Sequence, residues 1–275
     1  MLQKFHKYHG AGNDFVLIDI SENNAIRLTQ KDIATICHRR FGVGADGLIT
    51  LGPSDYSDFK MTYYNSDGRE GTMCGNGGRC AVQFAYDRGM TGKKTTFDAV
   101  DGLHKGVITD DEEVNLMMQN IGEIKNTPFG MFTDTGSPHL VIEAENLQEM
   151  DVKTEGEKLR HNAYFSPGGV NVNYYQIINN VIHIRTFERG VEDETWACGT
   201  GSVAAAVVAH HKKQFDSNSI KVQALGGLLT ISFEFNGRYE NLWLKGPAKK
   251  YLKVMISLSK KIFDYIFYLI SLFHL

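Results

Sequence analysis

The chain has 275 residues, 42% of them hydrophobic and 22% charged, the balance of a folded globular protein and not of a disordered one. Its 29 Lys and Arg stand against 32 Asp and Glu, a net charge of −3, so there is no basic excess to neutralise phosphate and nucleic acid is not the expected partner. Four cysteines make no disulfide framework, and the polar start MLQKFHKYHG does not read as a signal peptide, so a reducing cytoplasm is the expected location.

In chain order, Phe15 to Ile18 reads as a short buried strand. Thr29 to Arg40 reads as a helix, with Thr29 and Asp32 as a capping box and Ile33, Ile36 and Cys37 on one face. A second helix is expected over Arg79 to Arg88, after a glycine cluster. Val107-Ile108 and Val114 to Met117 flank Thr109 to Asp111 as a hairpin. Gly122 to Gly130, with Pro128, is the expected linker. Leu140 to Ile142 is a strand, and Asn171 to Ile178 and Val181 to Phe187 form a hairpin across Asn179-Asn180. Val203 to Lys213 is a helix whose end, His210 to Lys213, suits a helix C-terminus. The apolar run from Ile262 to Leu275 contains Asp264 and is shorter than the ~20 residues a spanning helix needs.

A single offset runs through the chain. Cys74-Gly75-Asn76-Gly77-Gly78-Arg79 falls on Cys198-Gly199-Thr200-Gly201-Ser202-Val203 at 124 residues (198 − 74). The same offset places Gly12 to Asp19 on Gly136 to Glu143, Thr62 to Asn65 on Thr186 to Arg189, and Glu70 on Glu194. Three segments in one ungapped register point to an internal duplication. The expected domains are 1–125 and 126–248, with 249–275 returning to pack on the first.

In each repeat a cysteine precedes a glycine-rich turn that opens a helix. A helix N-terminus carries unpaired N–H groups and about half a positive charge, which stabilises a thiolate and can hold a carboxylate. Glycines allow a ligand close to the backbone. Two thiols on opposite sides of one carbon suit racemisation or epimerisation: one sulfur takes a proton and the other returns one to the opposite face. Cysteine is more often a small core residue. Cys37 and Cys80, which share faces with Ile33 and Phe84, fit that reading, whereas Cys74 and Cys198 have glycine neighbours that make poor core. Gly42 to Gly47 matches G-x-G-x-x-G, but a helix precedes it and an apolar run follows, the reverse of a dinucleotide fingerprint. Gly199 to Ala204 matches G-x-G-x-x-A and opens a helix, so a nucleotide reading stays open. No C-x-x-C is present, and the adjacent His210 and His211 point apart on a helix, so no metal is expected.

These residues resemble the diaminopimelate epimerases. The resemblance runs to about Ala248, through Gly10-Ala11-Gly12-Asn13-Asp14-Phe15, Gly44-Ala45-Asp46-Gly47, Tyr64-Asn65-Ser66-Asp67-Gly68 and Met73 to Cys80. It continues through Gly136-Ser137-Pro138-His139, Asn171 to Tyr174, Glu188-Arg189-Gly190 and Ala197 to Gly201. It implies an α/β (α+β) fold of two pseudo-symmetric domains, each a mostly antiparallel sheet around a central helix, with a cleft between them. The implied activity is a cofactor-independent epimerase converting LL-diaminopimelate to the meso form, for lysine and peptidoglycan, with a homodimer as the expected assembly.

By the resemblance Cys74 and Cys198 are the acid/base pair, and His139 and Glu188 assist proton transfer or hold the α-amino group. Gly75, Asn76, Gly199 and Thr200 hold the reacting carboxylate through backbone N–H groups. Asn13, Asn65, Asn171 and Arg189 hold the distal end, where a guanidinium can grip a carboxylate with two hydrogen bonds. Taken singly, asparagines beside glycine serve turns, Glu188-Arg189 is a solvated pair and His139 a satisfied strand histidine. Ser137 stands where many family members have Asn, and some members have Gln in place of Gly47. The family pattern gives no account of the last fifteen or so residues. An amino-acid racemase of the same two-thiol class and a non-catalytic ligand-binding protein remain as alternatives.

Overall fold

The computed structural model describes residues 2–21, 27–257 and 267–268. The expectations for the apolar run from Ile262 to Leu275 fall almost entirely outside these residues. The chain forms two compact units, residues 1–108 together with 248–275, and residues 109–247.

The first unit opens with β1 (Leu2–Gly10) and β2 (Asn13–Asp19). They are joined by a tight turn in which Ala11 and Gly12 take φ of 52° and 83°. Both central residues of that turn need positive φ, which matches the strand twist. Then come α1 (Gln30–Cys37), β3 (Gly47–Gly52), β4 (Phe59–Asn65), α2 (Gly75–Asp87), β5 (Lys94–Ala99) and β6 (Gly102–Ile108). The capping box expected at Thr29 is present: its side chain accepts from Asp32 N, and Ile33, Ile36 and Cys37 are buried beneath it.

The second unit holds β7 (Val114–Met117), β8 (Ile124–Thr127), β9 (Gly130–Asp134), β10 (Pro138–Glu143), α3 (Val152–Arg160), β11 (Asn171–Ile178) and β12 (Val181–Glu188). It continues with β13 (Asp193–Thr195), α4 (Gly199–His211), β14 (Ser219–Ala224), β15 (Gly227–Phe235) and β16 (Tyr239–Gly246). The hairpin across Asn179-Asn180 forms as expected, with φ of 51° and 61° at the two asparagines. The chain then returns to the first unit as β17 (Lys249–Ser257), which pairs antiparallel with β1.

The duplication is visible in the pairings. From β17 the first unit runs antiparallel to β1 and β2, parallel to β3, antiparallel to β4, parallel to β5 and antiparallel to β6. From β8 the second unit runs through β9, β10, β11, β12, β14 and β15 in the same sequence of senses. Each unit packs its strands around one helix, α2 or α4. α4 is buried at nearly every position from Gly199 to Ala209, so it is apolar all round, as a central helix must be.

Two differences from the sequence reading have clear causes. The central helices begin at Gly75 and Gly199, four residues earlier than expected, so the glycine cluster is itself the first turn. Glycine is a poor helix former, but here close packing selects it: a Cβ at Gly77 would meet Ile49 Cδ1 at 3.1 Å, and one at Gly201 would meet Asn173 Oδ1 at 2.3 Å. Helix α3 was not expected. Its buried face consists of Val152 and Gly156, and the glycine faces Phe187, so its hydrophobic periodicity is nearly silent.

Candidate active site

Cys74 and Cys198 are the N-cap residues of α2 and α4, with extended backbone at φ −101° and −107°. The cap bonds repeat at the same offset: Gly78 N donates to Cys74 O at 2.7 Å and Ser202 N donates to Cys198 O at 2.9 Å. The C-terminal ends repeat too, Met90 N to Ala85 O and Gln214 N to Ala209 O, with Gly89 and Lys213 both at positive φ. The first N–H groups after each thiol, at Gly75 and Asn76 and at Gly199 and Thr200, lie in the first turn, where a helix offers its N–H groups no partner within itself, and they carry the positive end of the helix dipole. Neither helix has an acidic residue in that turn to neutralise it.

In the first unit the Cys74 thiol donates to Asn13 Oδ1 at 3.7 Å, and Asn76 Nδ2 donates to the same oxygen at 3.2 Å. Asn13 Nδ2 donates to Asp46 Oδ2 at 2.7 Å. Asn13, Cys74, Gly75 and Asn76 are thus brought together. Asn65 closes β4, its backbone N–H donating to Arg69 O, and its side chain is exposed.

In the second unit the Cys198 sulfur lies 3.4 Å from Thr200 Oγ1, and Thr135 Oγ1 donates to Thr200 O at 3.3 Å. His139 is fully buried on β10. Burial pushes its pKa down to about 3; the Asn173 bond opposes this and the Arg189 charge adds to it. Its Nδ1 faces Asn173 Nδ2 at 3.0 Å, and its Nε2 is buried with no hydrogen-bond partner. Asn171 is buried, donates to Ser137 Oγ at 2.9 Å and accepts from Arg189 N at 2.9 Å. The half-buried Arg189 also reaches Gly168 O at 3.5 Å, and Glu188 accepts from Thr195 Oγ1 at 3.0 Å. Asn171, Arg189 and Ser137 therefore form one hydrogen-bonded group, with Cys198 and Thr200 as another.

Cys37 and Cys80 are buried core thiols. Burial, reinforced by the Asp14 and Asp46 carboxylates, pushes Cys37 up to about 12. Burial also raises Cys80 strongly, against the Arg79 charge. Gly42 to Asp46 lies between α1 and β3 and Gly47 opens β3, so helix precedes strand and the dinucleotide order is absent there. Among the described residues no helix is long and apolar enough to cross a membrane.

Sequence reasoning missed Arg79, Asp46 and Asn173. All three lie inside quoted motifs, and Asn173 sits two residues beyond Asn171 on the same face of β11. Their roles depend on contacts between distant segments.

A family model described as diaminopimelate epimerase matches residues 5–123 and again residues 131–251. A diaminopimelate epimerase of Flavobacterium psychrophilum is 45% identical over 252 residues, covering 90% of this chain and 97% of that one. One from Chlorobaculum tepidum is 43% identical over 260 residues, covering 90% and 99%. Among solved structures, a Bacillus anthracis phenazine biosynthesis protein of the PhzF family superposes with TM-score 0.72 at 16% identity, covering 94% of this chain and 100% of that one. A probable proline racemase from Agrobacterium radiobacter superposes with TM-score 0.67 at 14% identity, covering 95% and 94%. At such identities the structural likeness speaks to fold alone.

Proposed function

We infer the function of this chain from one premise: it belongs to the diaminopimelate epimerase family. The protein is an isomerase that interconverts LL- and meso-diaminopimelate, a step of lysine and peptidoglycan synthesis. The observation that carries the mechanism is the matched pair of N-cap cysteines, one on each repeat.

In this reading one sulfur, as thiolate, takes the α-proton, and the other, as thiol, delivers a proton to the opposite face; the reverse reaction exchanges the roles. Negative charge developing on the α-carboxylate is met by N–H groups of Gly75, Asn76, Gly199 and Thr200, aimed before the reaction begins. His139 and Glu188 assist at the thiols or hold the α-amino group. The Nε2 of His139, a buried donor without a partner, supports a polar ligand group beside it. Asn13, Asn65, Asn171 and Arg189 hold the distal amino-acid end, and the Ser137 contact to Asn171 supports Ser137 acting through that side chain. We also propose a homodimer and a cytoplasmic location.

The test is incubation with LL-diaminopimelate in deuterated water. One α-deuterium in the meso product is expected, because the returning proton comes from a thiol that exchanges with solvent. Deuterium-free meso product, or no meso product with a fully folded protein, overturns the reading. Sedimentation of the full chain tests the dimer, and cell fractionation the location.

A further inference from the structure

Asn13 and Asn76 form a one-way chain of hydrogen bonds between a buried cation and an anion. Arg79 is fully buried, and its Nη2 donates to Asn76 Oδ1 at 2.8 Å while its Nη1 donates to Gly75 O at 3.4 Å. Asn76 Nδ2 donates to Asn13 Oδ1, and Asn13 Nδ2 donates to Asp46 Oδ2. A guanidinium only donates and a carboxylate only accepts. The two charged ends therefore dictate which way round both carboxamides sit. The result is that an oxygen of Asn13, and not its NH2, faces the Cys74 sulfur. Gly10 makes room for the chain: a Cβ there would lie 3.0 Å from Asn76 O and 3.3 Å from Arg79 Nη2.

The second unit builds the same helix cap without either charged end. At the offset of 124, Asp46 corresponds to Val170 and Arg79 to Val203, both buried, while Asn13 and Asn76 correspond to Ser137 and Thr200. Helix α4 still runs Gly199–His211 with the same cap bond as α2. The fold does not need the charges, so their presence beside one thiol calls for a chemical reason.

We infer that Arg79 and Asp46 are positioning residues for the epimerisation, which together turn the Asn13 oxygen toward Cys74 and make the two thiols chemically unlike. A carbonyl oxygen in contact accepts from S–H and disfavours a thiolate, so this contact biases Cys74 toward the thiol. Cys198 faces a Thr200 hydroxyl that can donate or accept, so that contact does not oppose a thiolate. The inference rests on the reading of Cys74 as a proton carrier.

Asp46→Asn is nearly isosteric and replaces the accept-only end of the chain with a group that also donates, so the hold on the Asn13 carboxamide is weakened and its oxygen is less firmly kept against the sulfur. The full-length protein is alkylated with iodoacetamide at neutral pH, and the rates at Cys74 and Cys198 are read from the same digest, with Cys198 as internal reference. The Cys74:Cys198 ratio is expected to rise about tenfold, the factor of one exchanged hydrogen bond, and kcat to fall about tenfold with KM within about twofold. Asp14→Asn is the charge control. Asp14 pairs with Lys7 and Arg39 in the same cluster, and it touches the amide chain only through Asp46, by accepting from Asp46 N with an oxygen that Asn keeps and by sharing Arg39 with it. It should leave the ratio at the wild-type value. A ratio and kcat unmoved by Asp46→Asn overturn the inference, as does an equal rise in Asp14→Asn. If Asp46→Asn does not fold, Arg79→Lys keeps the charge and loses the two-point grip; it should lower kcat at near-constant KM, and an unchanged kcat overturns the inference. Cys74→Ala run in parallel separates the two claims. Turnover by it removes the proposed mechanism, whereas an inactive Cys74→Ala beside an unaffected Asp46→Asn removes only this inference.

Discussion

The Asn173 carboxamide donates from Nδ2 to Nδ1 of His139 at 3.0 Å, and the neutral imidazole therefore carries its proton on Nε2. The amide cannot be turned round, because its Nδ2 also donates to Leu140 O at 3.0 Å and its Oδ1 accepts from Thr186 Oγ1 at 3.0 Å. His139 is thus presented as a buried donor in its neutral form, and that has a measurable cost in acid.

His139 should stay neutral across the physiological range and titrate near 3. Its folded pKa lies below its unfolded value of about 6.5, so the unfolded chain binds the extra proton between these limits. The contribution of His139 is fully present above about pH 6.5 and falls by about 1.4 kcal/mol per pH unit down to the folded value. His139→Phe, which copies Phe15 at the matching position of the first unit, should lack this slope. Urea titrations between pH 5 and 7 compare the two. Equal slopes would show that His139 can be charged where it sits.

Cys74→Ala and Cys198→Ala should each lose at least about 100-fold in turnover, since general acid–base groups typically contribute that much or more. Circular dichroism and melting should stay near wild type. Full turnover by either variant rules out a two-base mechanism. Alkylation at neutral pH should spare Cys37 and Cys80, whose raised pKa values keep them as buried thiols. Mild oxidation should abolish activity and yield a Cys74–Cys198 peptide on mass mapping; a link through Cys37 or Cys80 counts against the pairing.

Arg189→Lys should raise KM for diaminopimelate by about tenfold or more while leaving the melting temperature nearly unchanged. The charge survives but the planar two-point grip does not. The backbone N–H of Arg189, held by Asn171 Oδ1, is unaffected by the change. Unaltered steady-state kinetics would place Arg189 outside the substrate site.

Gly201→Ala should cost about 1–3 kcal/mol, because the new methyl group overpacks a filled interior. Its Cβ would stand 2.3 Å from Asn173 Oδ1. Displacing Asn173 also disturbs the His139 tautomer, so activity should fall further than stability alone explains. Thermal melts and kcat on the same preparation test this, and a stable, fully active Gly201→Ala would show that the helix start can shift.

Patterns carried by neighbouring residues were legible in the sequence. The Thr29 capping box, the Asn179-Asn180 hairpin and the placement of Cys74 and Cys198 ahead of glycine-rich helix starts are local signals, since caps and turns are set by a few adjacent residues, and the 124-residue repeat is the same local patterns met twice. The core assignment of Cys37 and Cys80 followed from helical spacing in the same way. Tertiary structure alone decided the rest. The glycine clusters became helical turns because Ile49 and Asn173 leave no room for a side chain. Helix α3 escaped notice because one of its core positions is Gly156, chosen for its contact with Phe187 and not for hydrophobicity. Arg79 and Asp46 meet the Cys74 site through Asn76 and Asn13 only once β2, α2 and the loop before β3 have packed together. Hydrogen-bond direction along such a chain depends on which groups lie in contact, and residues 33 and 63 positions apart in sequence carry no local trace of that contact.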